Sequence, residues 1–368
     1  MKTKSIRCLG AAILLLIWAV ITAFLWFSPA KEVSVSERRP LAQLPEVSVQ
    51  SLLDGSYMED FEAAAPDRFP MRDSFRRLKA LFHYYALRQK DNNDIYLVNG
   101  HAAQLLYPME EAALTQNLDK LNSFYDTYLK DADLNLYAAV IPDKSYYLAQ
   151  PNGYLSMDYD VFFAKVQEKL PWAEHIDLTG SLEISDYYTT DTHWRQEHLF
   201  EAADKLAQAM GVTAPSKSEY VQTPIDRPFY GVYYGQAALP MAPDTMYVMK
   251  NELLDSCTVT VLDDNTTTEV YDMTKLSSRD LYDVFLSGSR SLVVIENPNA
   301  ETDRELVIFR DSFGSSMAPL LVQDYAKVTL ADIRYIYPNV LSKFLTFDDQ
   351  DVLFLYCTTV LNTLDTLK

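Results

Sequence analysis

Five short, nearly unbroken apolar runs constrain the fold of this chain more than any other feature: Leu134–Ile141, Leu292–Ile295, Leu306–Phe309, Val328–Leu330 and Val352–Tyr356. A strand with one wet face alternates apolar and polar side chains, whereas an unbroken apolar strand is buried on both faces. These runs alternate with amphipathic segments. They therefore predict an α/β body, a mixed and mostly parallel sheet flanked by helices, with Phe309 and Leu330 ending strands of the same sheet. Glu197 to Met210 reads as a helix with Leu199, Ala203, Leu206 and Met210 inward and Gly211 as its stop. Residues 213–270, rich in Thr, Pro, Tyr and Asp, read as an insertion with short strands of its own.

The first thirty residues set the compartment. Lys2, Lys4 and Arg7 precede an uncharged apolar run from Cys8 to Phe27. A helix of that length spans about 30 Å, the thickness of a bilayer core. The basic residues favour the cytoplasmic side, which predicts an N-terminal single-pass anchor in the plasma membrane with the body extracytoplasmic. Ser28-Pro29-Ala30 also offers small residues for cleavage after Ala30, but the run is longer than a cleaved signal needs. Residues 31–85 then read as a membrane-proximal linker with short helical pieces, and 86–368 as the main domain. Within the linker, Phe75, Leu78, Leu81, Phe82 and Tyr85 recur at helical spacing. Beyond it, Asn99-Gly100 marks a hairpin between Ile95-Tyr96-Leu97 and Leu105-Leu106-Tyr107.

Composition removes several function classes. The chain carries a formal charge of -19, which argues against electrostatic binding of nucleic acid and against docking on anionic lipid. Ten glycines in 368 residues, and no phosphate-binding glycine loop, argue against a nucleotide fold. Cys8, Cys257 and Cys357 have no zinc spacing, so no metal and no cofactor is expected. A Cys257–Cys357 disulfide stays open, though a core of this size needs no staple.

Five histidines narrow the search for a general base. His83, His101, His175 and His198 read as packing or surface residues. His193 stands in Asp191-Thr-His193-Trp194, at a loop-to-helix junction. In an extended segment, residues i and i+2 share a side, so Asp191 can accept from His193 Nδ1 and leave Nε2 as the base. A nearby helix N-terminus would also disfavour the imidazolium. The plain alternative is that Asp191 or Thr192 caps the helix and His193 packs beside Trp194. Leu306–Phe309 is followed by Arg310-Asp311-Ser312-Phe313-Gly314 and a helix-like stretch. A serine in the turn after a parallel strand holds the position where α/β enzymes place nucleophiles, with free helix N–H groups for an oxyanion. Here too, Asp311 and Ser312 would serve equally as helix caps.

Together the two segments resemble the DHHW protein family of bacteria, relatives of the AlgX/AlgJ-like, SGNH-hydrolase-like proteins of exopolysaccharide O-acetylation. Arg38-Arg39-Pro-Leu-Ala-Gln-Leu-Pro, Asp67-Arg-Phe-Pro-Met-Arg72, Asp94-Ile-Tyr-Leu-Val-Asn-Gly100, Tyr282-Asp-Val-Phe-Leu-Ser-Gly288, Asp332-Ile-Arg334-Tyr335 and Val352–Tyr356 look like its recurring segments. The resemblance implies a permuted SGNH-like fold and a triad of Ser312 as nucleophile, His193 as base and Asp191 as its orienter. Asp-Thr-His-Trp replaces the namesake Asp-His-His-Trp but keeps the spaced pair. Arg310 replaces the glycine that precedes Asp-Ser in many SGNH enzymes. Arg310, Arg334 and Tyr335 are candidates to contact substrate, although Arg334 serves equally as half of a structural ion pair. Gly288 is a candidate oxyanion N–H. The implied activity is acetyl transfer to, or acetyl-ester hydrolysis on, a cell-envelope or secreted polysaccharide, with a membrane-bound O-acyltransferase as the donor's source. A non-catalytic polysaccharide-binding or assembly subunit is the alternative.

Overall fold

The computed structural model describes residues 2–27, 29, 31–34 and 36–368, with side chains from residue 9 onward. Ser28 and Ala30, on which the cleavage reading turns, and the Cys8 side chain lie outside the described residues. The chain divides into two compact units: residues 1–93 with 234–240, and residues 94–233 with 241–368.

The smaller unit begins with α1 (Lys2–Phe27), whose stretch Leu9–Phe27 is long and apolar enough to cross a membrane. Three helices follow: α2 (Val49–Asp54), α3 (Ser56–Asp67) and α4 (Arg72–Leu81). Trp26 stacks on Phe61 of α3, and the Arg68 guanidinium donates to the Leu25 carbonyl at 3.0 Å. A half-buried ion network centres on Glu37 and Asp67. Arg39 pairs with Asp67, Arg72 with both carboxylates, and Arg76 with Glu37.

The larger unit is built on one eight-stranded sheet. In chain order its strands are β1 (Asn135–Ile141), β2 (Glu174–Asp177), β3 (Thr258–Val261), β4 (Thr266–Thr268), β5 (Leu292–Glu296), β6 (Glu305–Arg310), β7 (Lys327–Ala331) and β8 (Asp351–Cys357). The spatial order is β4-β3-β5-β7-β6-β8-β1-β2. The five strands from β7 to β2 run parallel, and β5, β3 and β4 extend the sheet antiparallel. All five apolar runs are strands of this sheet. Phe309 and Leu330 lie on neighbouring strands, each one residue short of its strand's last residue.

Every residue of β8 is buried, as expected for a strand covered on both faces. On one face Phe309 and Phe354 stack in register, and Phe124 of α5 (Glu111–Phe124) packs on Phe309 at 4.8 Å. The expected helix at 197–210 is a 3₁₀ turn, Gln196–His198, followed by an α-helix at Phe200–Ala209, and Gly211 ends it at φ +63°. The hairpin turns at Asn99-Gly100, but its return strand is His101–Gln104, because a two-residue turn pairs the strands at once. Within the expected insertion, β3 and β4 join the main sheet, while Val221–Pro224 and Tyr247–Lys250 form a separate ladder. Cys257 and Cys357 are both buried free thiols.

Candidate active site

The site lies at the carboxyl ends of β6, β7 and β8. Ser312 sits in the turn after β6, where the chain leaves the sheet for the short helix Gly314–Met317. Asp311 fixes that turn from beneath. One oxygen of its buried carboxylate accepts the Phe313 N–H at 2.9 Å, and the other accepts the Cys357 N–H at the end of β8 at 2.6 Å. Asp311 therefore holds the turn as an Asx-turn ahead of the helix, and Ser312 has no part in that role. Its hydroxyl lies 2.7 Å from His193 Nε2.

His193 comes from a hairpin. Tyr187 bridges Trp194, and the Tyr188 N–H donates to the His193 carbonyl. The Asp191-His193 pair is formed by the turn of this hairpin, not by an extended segment. Asp191 Oδ1 accepts the His193 backbone N–H at 3.1 Å and lies 2.6 Å from Nδ1 of the ring. An Asx-turn thus gives the i, i+2 contact that extended backbone also allows. Oδ2 accepts the Val232 N–H at 2.7 Å. That approach requires glycine at position 231, since a Cβ there would overlap Asp191. Asp191 is completely buried, and His193 is 6% exposed.

The imidazole is held on its faces as well as its edges. The Tyr282 ring stacks on it at 3.9 Å and 10°, and Phe313 lies 4.9 Å away. Tyr282 is buried, its hydroxyl 2.7 Å from Ser316 Oγ, and burial pushes its ionisation well above the usual phenol range. Trp194 donates its indole N–H to the same Ser316 hydroxyl. Gln196 donates to the Ser316 carbonyl and accepts from the Met249 N–H and the Tyr271 hydroxyl. The helix N-terminus expected beside His193 lies further on, beyond the 3₁₀ turn. The carboxylate, not a helix dipole, sets this ring's surroundings.

Behind the hairpin is Lys144, which the residue patterns did not single out. It follows β1 at the start of α6 (Lys144–Leu148), with Asp143 as the cap. The side chain is fully buried and donates to the carbonyls of Tyr188, Thr189 and Asp191 at 2.7, 3.2 and 3.1 Å. Burial pulls its ammonium down to about 7, against a smaller raising pull from Asp191 and Asp244. Its position after an apolar strand is the same signal that marked Ser312.

The remaining candidates divide. Arg310 is fully buried and reaches no surface where a substrate could lie. It lies 3.7 Å from Asp332, and burial lowers its ionisation. Arg334 forms a two-pronged pair with Asp332, at 2.9 and 2.7 Å, so it is part of an ion pair on the turn after β7. Burial lowers Arg334, but the Asp332 hydrogen bond and charge raise it on balance. Tyr335 is exposed, with the Arg334 guanidinium 5.2 Å from its ring centre. Gly288, at φ +81°, already donates its N–H to the Phe285 carbonyl. The N–H groups of Phe313, Gly314 and Ser315 are likewise engaged within the turn after β6, whereas that of Ser312 makes no hydrogen bond among the described residues. No group of His, Cys, Asp and Glu side chains among the described residues could hold a metal ion.

This arrangement can do nucleophilic acyl chemistry: a hydroxyl on a base, the base on a buried carboxylate, and a free N–H beside the hydroxyl. The fold is shared with solved proteins. A DHHW family protein from Eubacterium siraeum aligns with a TM-score of 0.57 at 21% identity, covering 74% of this chain and 93% of that one. Bacillus cereus PatB1, solved with a sulfonyl adduct, aligns at 0.59 and 17% identity, covering 74% and 98%. The O-acetyltransferase domain of Pseudomonas putida AlgJ aligns at 0.45 and 16% identity, covering 73% and 92%. No curated protein matches the chain. The model of the DHHW protein family matches residues 178–331, the segment that holds Asp191, His193 and Ser312.

Proposed function

We propose that this chain is a serine-dependent O-acetyltransferase or acetyl-esterase acting on a cell-envelope or secreted polysaccharide. The observation that carries the reading is the unbroken Ser312–His193–Asp191 series of contacts at 2.7 and 2.6 Å. Ser312 Oγ attacks the acetyl carbonyl while its proton passes to His193 Nε2. The negative charge that develops on the carbonyl oxygen faces the unengaged Ser312 N–H. Collapse expels the donor's oxygen, which takes the proton back from His193, and leaves acetyl-Ser312. A sugar hydroxyl or water then attacks that ester, gives its proton to Nε2 and restores the serine. Asp191 holds the tautomer and stabilises the charged ring in both halves.

The fold shared with PatB1, which was solved as a sulfonyl adduct, favours a sulfonyl fluoride as the probe. Sequence resemblance to proteins of exopolysaccharide O-acetylation supports acetyl as the group and a polysaccharide as the acceptor. In this reading α1 is an N-in anchor, residues 31–85 connect it to a permuted SGNH-like domain at 86–368, and a membrane O-acyltransferase supplies the acetyl group. The test is acetyl-ester turnover by the full chain, with and without sugar acceptors, compared with Ser312→Ala. Turnover lost in the variant, with sulfonylation confined to Ser312, supports the reading. An inert wild-type protein that still binds polysaccharide would favour the non-catalytic subunit.

A further inference from the structure

Helix α4 and the turn that continues it are inside out for a water-facing helix. Met71, Phe75, Leu78, Phe82 and Tyr85 recur at spacings of three and four, which puts them on one stripe. All five are more than half exposed. The opposite side buries Ala80, and holds Arg72 and Arg76 in their ion pairs with Glu37 and Asp67. A helix that turns its arginines inward and a continuous apolar stripe outward needs something other than water on that stripe.

Charge and neighbourhood say what covers it. Residues 72–90 hold six Lys and Arg (Arg72, Arg76, Arg77, Lys79, Arg88, Lys90) against one acid, Asp73, in a chain whose net charge is -19. Lys79 lies on one flank of the stripe and is exposed, and the exposed Arg88 follows the end of the helix; Arg77, further round, donates to the Tyr234 hydroxyl at 3.1 Å. This helix belongs to the same compact unit as the one membrane-length helix among the described residues. Arg68, at the end of α3 and four residues before α4 begins, donates to the Leu25 carbonyl near the end of α1.

We infer that α4 and its continuation to Tyr85 lie in the bilayer interface where α1 emerges, with the apolar stripe in the acyl boundary and the flanking bases on anionic headgroups. The net charge of the whole chain hid this, because the acids are elsewhere in the sequence. The inference rests on α1 spanning a bilayer and not on the acyl-transfer reading. Its consequence is that the chain has a second membrane contact, which fixes the rotation of the small unit about its anchor.

The test places the photo-crosslinking residue p-benzoylphenylalanine at Phe75, Leu78 or Phe82 of the full chain, in lipid nanodiscs containing phosphatidylglycerol. Ile17 in α1 is the anchor control, and Asp73 on the opposite side of α4 is the surface control. Mass spectrometry should find lipid adducts at 75, 78 and 82 at least fivefold above those at 73. Yields at the stripe should fall at least twofold in discs of phosphatidylcholine alone, while position 17 is unchanged. Adducts to a second copy of the chain or to another protein, or stripe yields no higher than at 73 while position 17 crosslinks to lipid, would overturn the inference. Equal yields in both lipids would overturn its electrostatic half. No lipid adduct at position 17 would overturn the anchor on which it stands.

Discussion

Trp194 donates its indole N–H to Ser316 Oγ at 2.8 Å, so the segment carrying His193 is bonded to the helix behind Ser312 at a point apart from the Ser312–His193–Asp191 contacts. The same hydroxyl is 2.7 Å from the Tyr282 oxygen, and the Tyr282 ring is the plate under His193. Ser316 thus joins three sides of the site. Trp194→Phe removes the donor and part of a fully buried ring. We expect a stability loss of about 2–4 kcal/mol by urea unfolding, from the cavity and the orphaned acceptor together. In the surviving protein kcat should fall more than KM changes, because the lost bond positions the base without touching an acceptor sugar.

The triad variants should separate chemistry from folding. Ser312→Ala removes no cap, since Asp311 holds the turn, and should change stability by less than about 1 kcal/mol. Its acetyl-ester turnover should fall to the uncatalysed background. His193→Ala should lose a similar amount of activity, and the double variant little more, because the residues act as one unit. Additive losses in the double variant would refute a shared mechanism.

Gly231→Ala probes the support of Asp191. Its Cβ would overlap Asp191, so the loop must retreat and the Val232 N–H must leave the carboxylate. A displacement of this kind should lower kcat about 100-fold while leaving KM within a few-fold. Unchanged turnover would show that the Val232 bond contributes nothing to the site.

Lys144 gives a signed pH dependence. Its unfolded value is near 10.4, and burial holds it at about 7 in the fold. Between those values the unfolded chain carries a proton that the folded one lacks. Stability should therefore rise with pH across that window, by at most about 1.4 kcal/mol per pH unit. Below about pH 7 both states are charged, and the contribution is flat. Lys144→Met should remove this rise, as read from urea midpoints between about pH 6 and pH 9. Parallel pH profiles of variant and wild type would show that the ammonium stays charged throughout.

Asp332 faces two guanidiniums at once, Arg310 and Arg334, and is itself fully buried. Asp332→Asn leaves Arg310 as a buried charge without a counter-charge, and should cost about 3–5 kcal/mol. Pairing it with Arg310→Met should recover much of that loss, measured by the same unfolding assay. No recovery would show that Arg334, not Arg310, is the partner that matters.

The sheet was legible because burial on both faces writes itself as unbroken apolar runs, and five of its eight strands announced themselves in this way. The strand β5 was read correctly, but its antiparallel direction was not legible, since a buried strand has the same composition in either direction. The contacts among Asp191, His193 and Ser312 were legible because a short-range pair and a strand-end turn are local patterns. Lys144 was missed although it also follows an apolar strand, because a lysine after a strand usually points to water. Arg310 was taken for a substrate contact for the same reason. Its partner Asp332 is 22 positions away and shows only when β6 and β7 lie side by side. On α4, helical spacing located the apolar stripe, but which way it faced depended on Glu37 and Asp67 drawing the arginines inward.

The sheet order carries a consequence for how the protein is made. The last of the eight strands in sequence, β8, is an interior strand, between β6 and β1. A chain emerging N-terminus first must hold β1 and β2 apart from β3–β7, with two apolar strand edges open, until residues 351–357 arrive to join them. The Asp311–Cys357 bond under Ser312 closes only with that arrival. During biosynthesis the site therefore assembles at the end, after every other strand of the sheet has been made.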